Sequence, residues 1–342
     1  MMSIRAREGD FIETIEGLIF DVKGLVHPPD RIIAYLRYIP DPSGDRLRGG
    51  MAYRKVYSLD EREDILRRYY PQYIYFDRIF GMEMQGIPKE RIRKVYRPQE
   101  ALQALMEKSI LSDLERSAVN LIRILHESSN VRIGSMGISG SIMAGLHTEK
   151  SDIDIIVYGR KNCISVYSSL KTLMERPNGQ ISRYDMADLR RLYEFRSKDT
   201  SMPYEDFVRI ERRKHMQGKF MRRDFFVRFI LDWSEVDEEY GDRTYSPIGY
   251  ARIKATVTDD SEAIFTPCRY PIEDVDFLEG MKIPSLREIV SFRGRFCEQA
   301  KRGEVIIAQG KIEKVTEMDG TEYFRMILGS KPSDFMISRS VH

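Results

Sequence analysis

Hydrophobic and polar positions change their period three times along this chain. From the start to about residue 96, short alternating runs dominate. Phe11 to Ile15 (FIETI) and Leu18 to Val22 (LIFDV) are separated by Glu16-Gly17, and RIIAYLRYI follows the break at His27-Pro28-Pro29-Asp30. Alternation bounded by Gly and Pro predicts strands. DPSGDRLRGG then reads as an exposed loop, and the aromatic stretch YYPQYIYFDRIF follows neither period. Pro98 opens a second pattern, with Leu102, Leu105, Ile110, Leu114, Val119, Ile122 and Leu125 recurring at mostly helical spacing. That predicts one or two amphipathic helices with Pro at an early position.

Beyond these helices, strand and helix signals alternate. VRIGSMG reads as a strand, a short helix starts near Ser141, and SDIDIIVYG is a strand. SVYSSLKTLMER, DMADLRRLYEF and the less regular YEDFVRIERRKH read as helices, and GKFMRRDFFVRFILDW as one long β-type run. From Tyr245 the alternation returns in YARIKATVT, AIFTPCRY, EVIIAQGKIEKVT and YFRMILG, with Asp319-Gly320 as a hairpin signal between the last two. The pattern predicts an α+β protein of three parts. A β-rich N-terminal domain spans 1–96, a domain with a central mixed sheet and helices spans 97–240, and a small β barrel spans 241–342.

Composition narrows the classes. The chain has 342 residues, 42% hydrophobic and 32% charged, so it builds cores rather than staying disordered. Its 55 basic and 53 acidic residues leave a net charge of +2, too even to indicate nucleic acid by itself. No apolar run approaches a membrane span, and the charged start MMSIRAREGD lacks the apolar segment of a secretory signal. Cys163, Cys268 and Cys297 form neither a disulfide framework nor a zinc pattern. The expectation is a cytoplasmic protein with reduced thiols and no membrane partner.

The chemistry concentrates between Gly134 and Gly159. Gly137, Gly140 and Ser141 leave the backbone free to approach a ligand, and a helix starting near Ser141 would turn its amides toward an anion. Ten residues on, Asp152-Ile153-Asp154 opens an apolar run. Alternate side chains of a strand share a face, so Asp152 and Asp154 would project together while Ile153, Ile155 and Val157 enter the core. Two such carboxylates raise each other's pKa, and a divalent cation relieves the repulsion.

Ser139-Gly140-Ser141 followed by Asp152-Ile153-Asp154-Ile155 resembles the signature of the DNA polymerase β-like nucleotidyltransferase superfamily. Ser139 departs from it, because an apolar residue is common there. The likeness covers about 25 residues, and the chain as a whole is similar to uncharacterised archaeal predicted nucleotidyltransferases. The resemblance implies transfer of an NMP from an NTP to an acceptor hydroxyl, with release of pyrophosphate. Asp152 and Asp154 would bind two Mg²⁺ ions, with Mn²⁺ as a substitute, and Gly140 and Ser141 would hold the β- and γ-phosphates. It also implies a third carboxylate on a later strand, for which Asp224 is preferred over Asp232 as a catalytic and metal-binding residue. Nucleic acid is among the candidate acceptors. The alternative is a nucleic-acid-binding module on an inactive fold of this type.

Other signals divide between chemistry and packing. Arg212, Arg213, Lys214, Lys219, Arg222, Arg223 and Arg228 fit phosphate contact or a solvated face equally. Tyr69, Tyr70, Tyr73, Tyr75, Phe76 and Phe80 fit packing better than base stacking. His126, His147 and His215 read as structural or surface residues.

Overall fold

The computed structural model describes residues 4–339. They form two compact units, with no boundary at 96 and one beside the expected 240, between Glu239 and Tyr240. The first takes the stretch up to Phe76, Glu83–Ser182 and His215–Glu239; the second takes Asp77–Met82, Arg183–Lys214 and the residues from Tyr240 on.

In the first unit, the N-terminal alternation folds into an eight-stranded sheet. β1 (Phe11–Thr14) and β2 (Ile19–Val22) are joined by Gly17 at φ +84°, and β3 (Arg31–Pro40) pairs with β2. β4 (Arg46–Arg48) and β5 (Met51–Lys55) form a hairpin through Gly49-Gly50, both at positive φ. The segment expected as a loop is therefore partly a strand pair, because two glycines supply the turn conformation. α1 (Leu59–Tyr69) was not anticipated. Its signal was local: the Ser58 hydroxyl accepts the Glu61 amide at 3.4 Å, half of an S-x-x-E capping pattern. β6 (Ile74–Asp77), β7 (Met82–Pro88) and β8 (Ile92–Tyr96) complete the sheet, with β8 on the free side of β1.

The helical pattern becomes α2 (Pro98–Glu107) and α3 (Asp113–Ser129), the latter started by a full capping box of Ser112 and Glu115. Then come β9 (Met136–Ile138), a single helical turn α4 (Gly140–Met143), β10 (Ile153–Tyr158) and α5 (Arg160–Met174). β11 (Ile181–Ser182), β12 (Gln217–Phe220) and β13 (Arg223–Ile230) join β9 and β10 in a five-stranded mixed sheet of order β11-β12-β13-β10-β9. β10 lies parallel to β13 and antiparallel to β9. The long β-type run is thus two strands, not one. Met221 and Arg222, at φ 47° and 72°, make a two-residue turn of the kind that matches strand twist.

α3 and α5 pack on β10. Its other face meets the N-terminal residues. Leu25 joins Ile156, Tyr158 and Ile230 in one apolar cluster, and the Arg7 guanidinium lies 3.7 Å over the Tyr158 ring. A Cβ on Gly9 would stand 3.0 Å from Ile156 Cδ1, so the backbone there touches the strand. Asp154 shares this covered face with Ile156 and Tyr158 by strand alternation.

The second unit holds α6 (Met186–Arg196), α7 (Tyr204–Glu211) and six strands: β14 (Arg243–Val257), β15 (Cys268–Gly280), β16 (Glu288–Ser291), β17 (Val305–Glu317), β18 (Glu322–Leu328) and β19 (Phe335–Ser338). Five close into a barrel, β14-β15-β16-β18-β17 and back to β14, with β16 and β18 parallel and β19 added on β17. Asp319-Gly320 turns β17 into β18, as its sequence suggests, with Gly320 at φ +82°. The whole is mixed α+β with seven helices among the described residues. None is long and apolar enough to cross a membrane. The three cysteines are free and buried.

One half-buried histidine ties the strands of the N-terminal sheet to the segment before them. The Ile33 amide donates to His27 Nδ1 at 3.2 Å, so Nε2 carries the hydrogen and donates to the Ala6 carbonyl at 2.9 Å. Burial pushes this imidazole down to about 4, against the bond to Ala6 that favours its charged form. Its folded value lies below its unfolded value of 6.5, so the unfolded chain takes up the proton first as pH falls. The associated stability is complete above pH 6.5 and drains between 6.5 and 4. Urea unfolding of the parent should therefore lose up to about 3 kcal/mol over that window, beyond what a His27→Gln variant loses. Equal losses in the two proteins would refute this.

Candidate active site

The site is built where β9, α4 and the head of β10 meet. Ile138 lies opposite Ile155 across the antiparallel pair, and the Ser139 amide donates to the Asp154 carbonyl at 2.9 Å. The chain then turns at Gly140, φ +63°. A Cβ there would fall 2.0 Å from Asp154 Oδ2, so only glycine allows both the conformation and the approach. Ser141 follows, buried at 4% exposure, and its Oγ has no hydrogen-bond partner among the described residues.

These groups line a small cavity of about 40 Å³. Its other polar walls come from strands that sequence reasoning did not connect with the motif: Asp21 on β2, Arg37 on β3, Lys55 on β5 and Arg228 on β13. Burial, then the charge of Asp152, pushes the Asp154 carboxyl up to about 7, against the pull of Arg228, Lys55 and Arg37. Burial and Arg37 push the Lys55 ammonium down to about 8, against Asp152 and Asp154. Asp21 behaves oppositely. Burial resists its ionisation, yet Lys23, Arg228 and Arg37 hold it below the ordinary carboxylate value. Its Oδ2 accepts from Lys23 at 2.9 Å, while Oδ1 is buried without a hydrogen bond. Arg228 is anchored on Glu8 at 2.6 Å, and Glu8 also takes Lys23 at 3.0 Å.

The sequence-derived residues fare unequally. Gly140, Ser141 and Asp154 come together at the cavity, and Asp152, just before β10, is exposed, its charge acting on Asp154. Asp224 does not line the cavity, although the parallel register, with Asp154 beside Phe226, sets it on the same strand face two residues nearer the head of β10. It sits beside the β12–β13 turn, exposed, with its carboxylate 2.8 Å from Lys219, and the cavity wall from β13 is Phe226 and Arg228 instead. Asp232 caps the short helical turn at Trp233, accepting that residue's amide at 2.7 Å, and pairs with Arg7. His147 lies near Ser112, 3.4 Å from its hydroxyl, outside the cavity lining. The basic run is largely neutralised by neighbours: Arg213 pairs with Glu304, Lys214 with Glu211 and Arg223 with Glu149. Of the aromatic residues in that stretch, Tyr73 is core, whereas Tyr69 and Phe76 are exposed.

The donor set can be weighed against a divalent cation. Among the described residues, no three His, Cys, Asp or Glu side chains converge tightly enough to hold a metal by themselves. Mg²⁺ usually takes only one or two carboxylates and completes its shell with water and substrate phosphates. Asp152 and Asp154 meet that requirement.

In class, the chain is a two-unit α+β protein with a carboxylate-and-cation cavity in its first unit. It is 33% identical over 342 residues to "Uncharacterized protein MJ1086" of Methanocaldococcus jannaschii, across 98% of each chain, and it belongs to that protein's family. No family model matches the chain. No solved structure matches it either.

The contact between Gly140 and Asp154 yields a direct test. Gly140→Ala adds a left-handed backbone penalty of about 1–2 kcal/mol and forces the Asp154 carboxylate to move. Its denaturant midpoint should fall, by more than that of a Gly134→Ala control, whose Cβ would meet nothing within 4 Å. Equal midpoints for the two variants would contradict the geometry.

Proposed function

We propose that this protein is a metal-dependent nucleotidyltransferase acting in the cytoplasm. The observation that carries the reading is the Gly140 turn set against the Asp154 carboxylate, with the Asp152 charge acting on it and β10 held between β9 and β13. A phosphate-binding bend within contact distance of a carboxylate pair is what bridging a nucleotide tail requires. The five-stranded mixed sheet is, in this reading, the nucleotidyltransferase-type sheet.

Each residue then has a task. Asp152 and Asp154 hold Mg²⁺, with Mn²⁺ as a substitute. The ion, when bound, supplies charge neutralisation at the transferring phosphate. Gly140 leaves room for the tail, and the Ser141 hydroxyl donates to a β- or γ-phosphate oxygen. The acceptor hydroxyl attacks the α-phosphate in line, the bond to the leaving pyrophosphate breaks, and the acceptor's proton passes to a nearby base. Asp224 fills that role on leaving Lys219, which pairs with it at 2.8 Å.

A second reading, a nucleic-acid-binding module on an inactive fold, draws on two observations. No strand carboxylate from β13 lines the cavity, and the barrel has the five-stranded Greek-key order used by oligonucleotide-binding barrels. Salt-sensitive RNA or DNA binding that ignores Mg²⁺ would favour it.

Incubation with each α-labelled NTP, Mg²⁺ or Mn²⁺, and cellular RNA, protein and metabolite fractions tests the transferase. The parent should label one fraction, and Asp152→Asn and Asp154→Asn should abolish the label. Both variants should melt at the same temperature or higher, because each removes one of two repelling carboxylates. Labelling that survives either substitution would rule out the assignment.

A further inference from the structure

We propose that Lys219 competes with the divalent cation for the Asp224 carboxylate and thereby sets how tightly the site holds metal. That Asp224 serves the metal site rests on the transferase reading above; the competition rests on strand register and one ion pair.

β12, β13 and β10 lie side by side in that order. Lys219 is the antiparallel partner of Asp224 on one flank. On the other, Ile153 stands beside Phe225 and Asp154 beside Phe226, so the register continued by one residue sets Asp152 beside Asp224. Strand alternation then puts Asp152, Asp154, Asp224 and Lys219 on one face. Neighbouring strands are about 5 Å apart, so Asp224 stands between an ammonium and an acidic pair, within side-chain reach of both. Its Oδ1 takes the ammonium, 2.8 Å from Lys219 Nζ. With the carboxylate engaged on that flank, no three His, Cys, Asp or Glu side chains converge into a metal cluster among the described residues.

This contact differs from an ordinary surface pair. The Asp224 side chain is 53% exposed, but that of Lys219 only 17%. Lysine usually keeps its ammonium in water, whereas this one is largely covered and ends on the carboxylate beside Asp152. Like charges on neighbouring strands destabilise a sheet, and Lys219 offsets the repulsion between Asp152 and Asp224. A divalent ion answers the same repulsion with twice the charge and accepts oxygens from more than one carboxylate. Two cations drawn to one carboxylate weaken each other's hold, so the lysine raises the metal concentration at which the site fills.

Electron paramagnetic resonance counts free Mn²⁺ and so reads the affinity of the full chain for that ion without any label transfer. Lys219→Gln, which drops the charge but keeps a hydrogen-bond donor, should tighten Mn²⁺ binding by about two- to fivefold, the worth of a half-exposed ion pair. Lys219→Arg keeps the charge and should keep the parental affinity. Asp224→Asn should weaken binding, and adding Lys219→Gln to it should make little difference, because the lysine acts through that carboxylate. Affinity indifferent to Lys219→Gln, with a lower melting temperature, would show a contact that only holds the β12–β13 hairpin and would overturn the proposal. An equal gain with and without Asp224 would overturn it too, since a general charge effect needs no such partner. Label transfer separates the competition from the transferase reading. Tighter Mn²⁺ binding that depends on Asp224, in a protein that never transfers label, supports the competition and sinks the transferase. Transfer that Asp152→Asn abolishes, with Mn²⁺ affinity indifferent to Lys219, sinks the competition and leaves the transferase standing. Mn²⁺ bound by neither the parent nor Lys219→Gln sinks both.

Discussion

A half-buried carboxylate is the constraint around which the first unit is arranged. Asp154 lies beneath the N-terminal sheet and against the Gly140 backbone, and a carboxylate so placed is tolerated only with compensating charge or a proton. The compensation arrives from three strands as Arg228, Lys55 and Arg37. Those cations need holding in turn. Arg228 is tied by Glu8, Glu8 also by Lys23, and Lys23 by Asp21, which lines the same cavity. The polar interior is thus one connected network, to which Arg37 and Lys55 contribute charge opposite Asp154.

The sheets are joined by more than this network. Arg46 donates to the Leu146 carbonyl at 2.6 Å and Arg48 to the Ala144 carbonyl at 3.4 Å, so the β4–β5 hairpin clamps the loop running from α4 to β10. On the other side of the turn, the Ser139 hydroxyl donates to the Gly9 carbonyl at 2.7 Å. The bend beside Asp154 is therefore pinned at both ends by residues from the first fifty or so of the chain. A site assembled this way is preorganised by packing, which favours tight positioning of a charged ligand.

Local features were legible in the sequence and lateral ones were not. The Gly-Ser bend, the strand headed by Asp152 and Asp154, the capped helix α3 and the Asp319-Gly320 hairpin all depend on neighbours in sequence, and all stand where their patterns put them. Asp21, Arg37 and Lys55 each occupy a polar position in an alternating strand, which ordinarily means a face turned to water. Nothing local says that a second sheet covers that face. Asp224 illustrates the converse. Its place in a β-rich run was right, but its cross-strand neighbour Lys219 depends on a turn at Met221-Arg222, which has neither Asn nor Gly to announce it. Helix α1 was missed for a different reason: its polar sequence offers little periodicity, and only the Ser58 cap marked its start.

The discontinuous make-up of the first unit also shapes how the chain comes to life. β10 is synthesised well before its parallel neighbour β13, and α6 and α7, which belong to the other unit, emerge in between. During translation the central sheet stays open at its β10 edge while residues destined for elsewhere leave the ribosome. Parallel pairing of this long reach is intrinsically slow. The motif's own strand thus spends its first moments as an unpaired, strongly apolar edge, which makes the nascent chain, rather than the finished protein, the stage most exposed to misassociation.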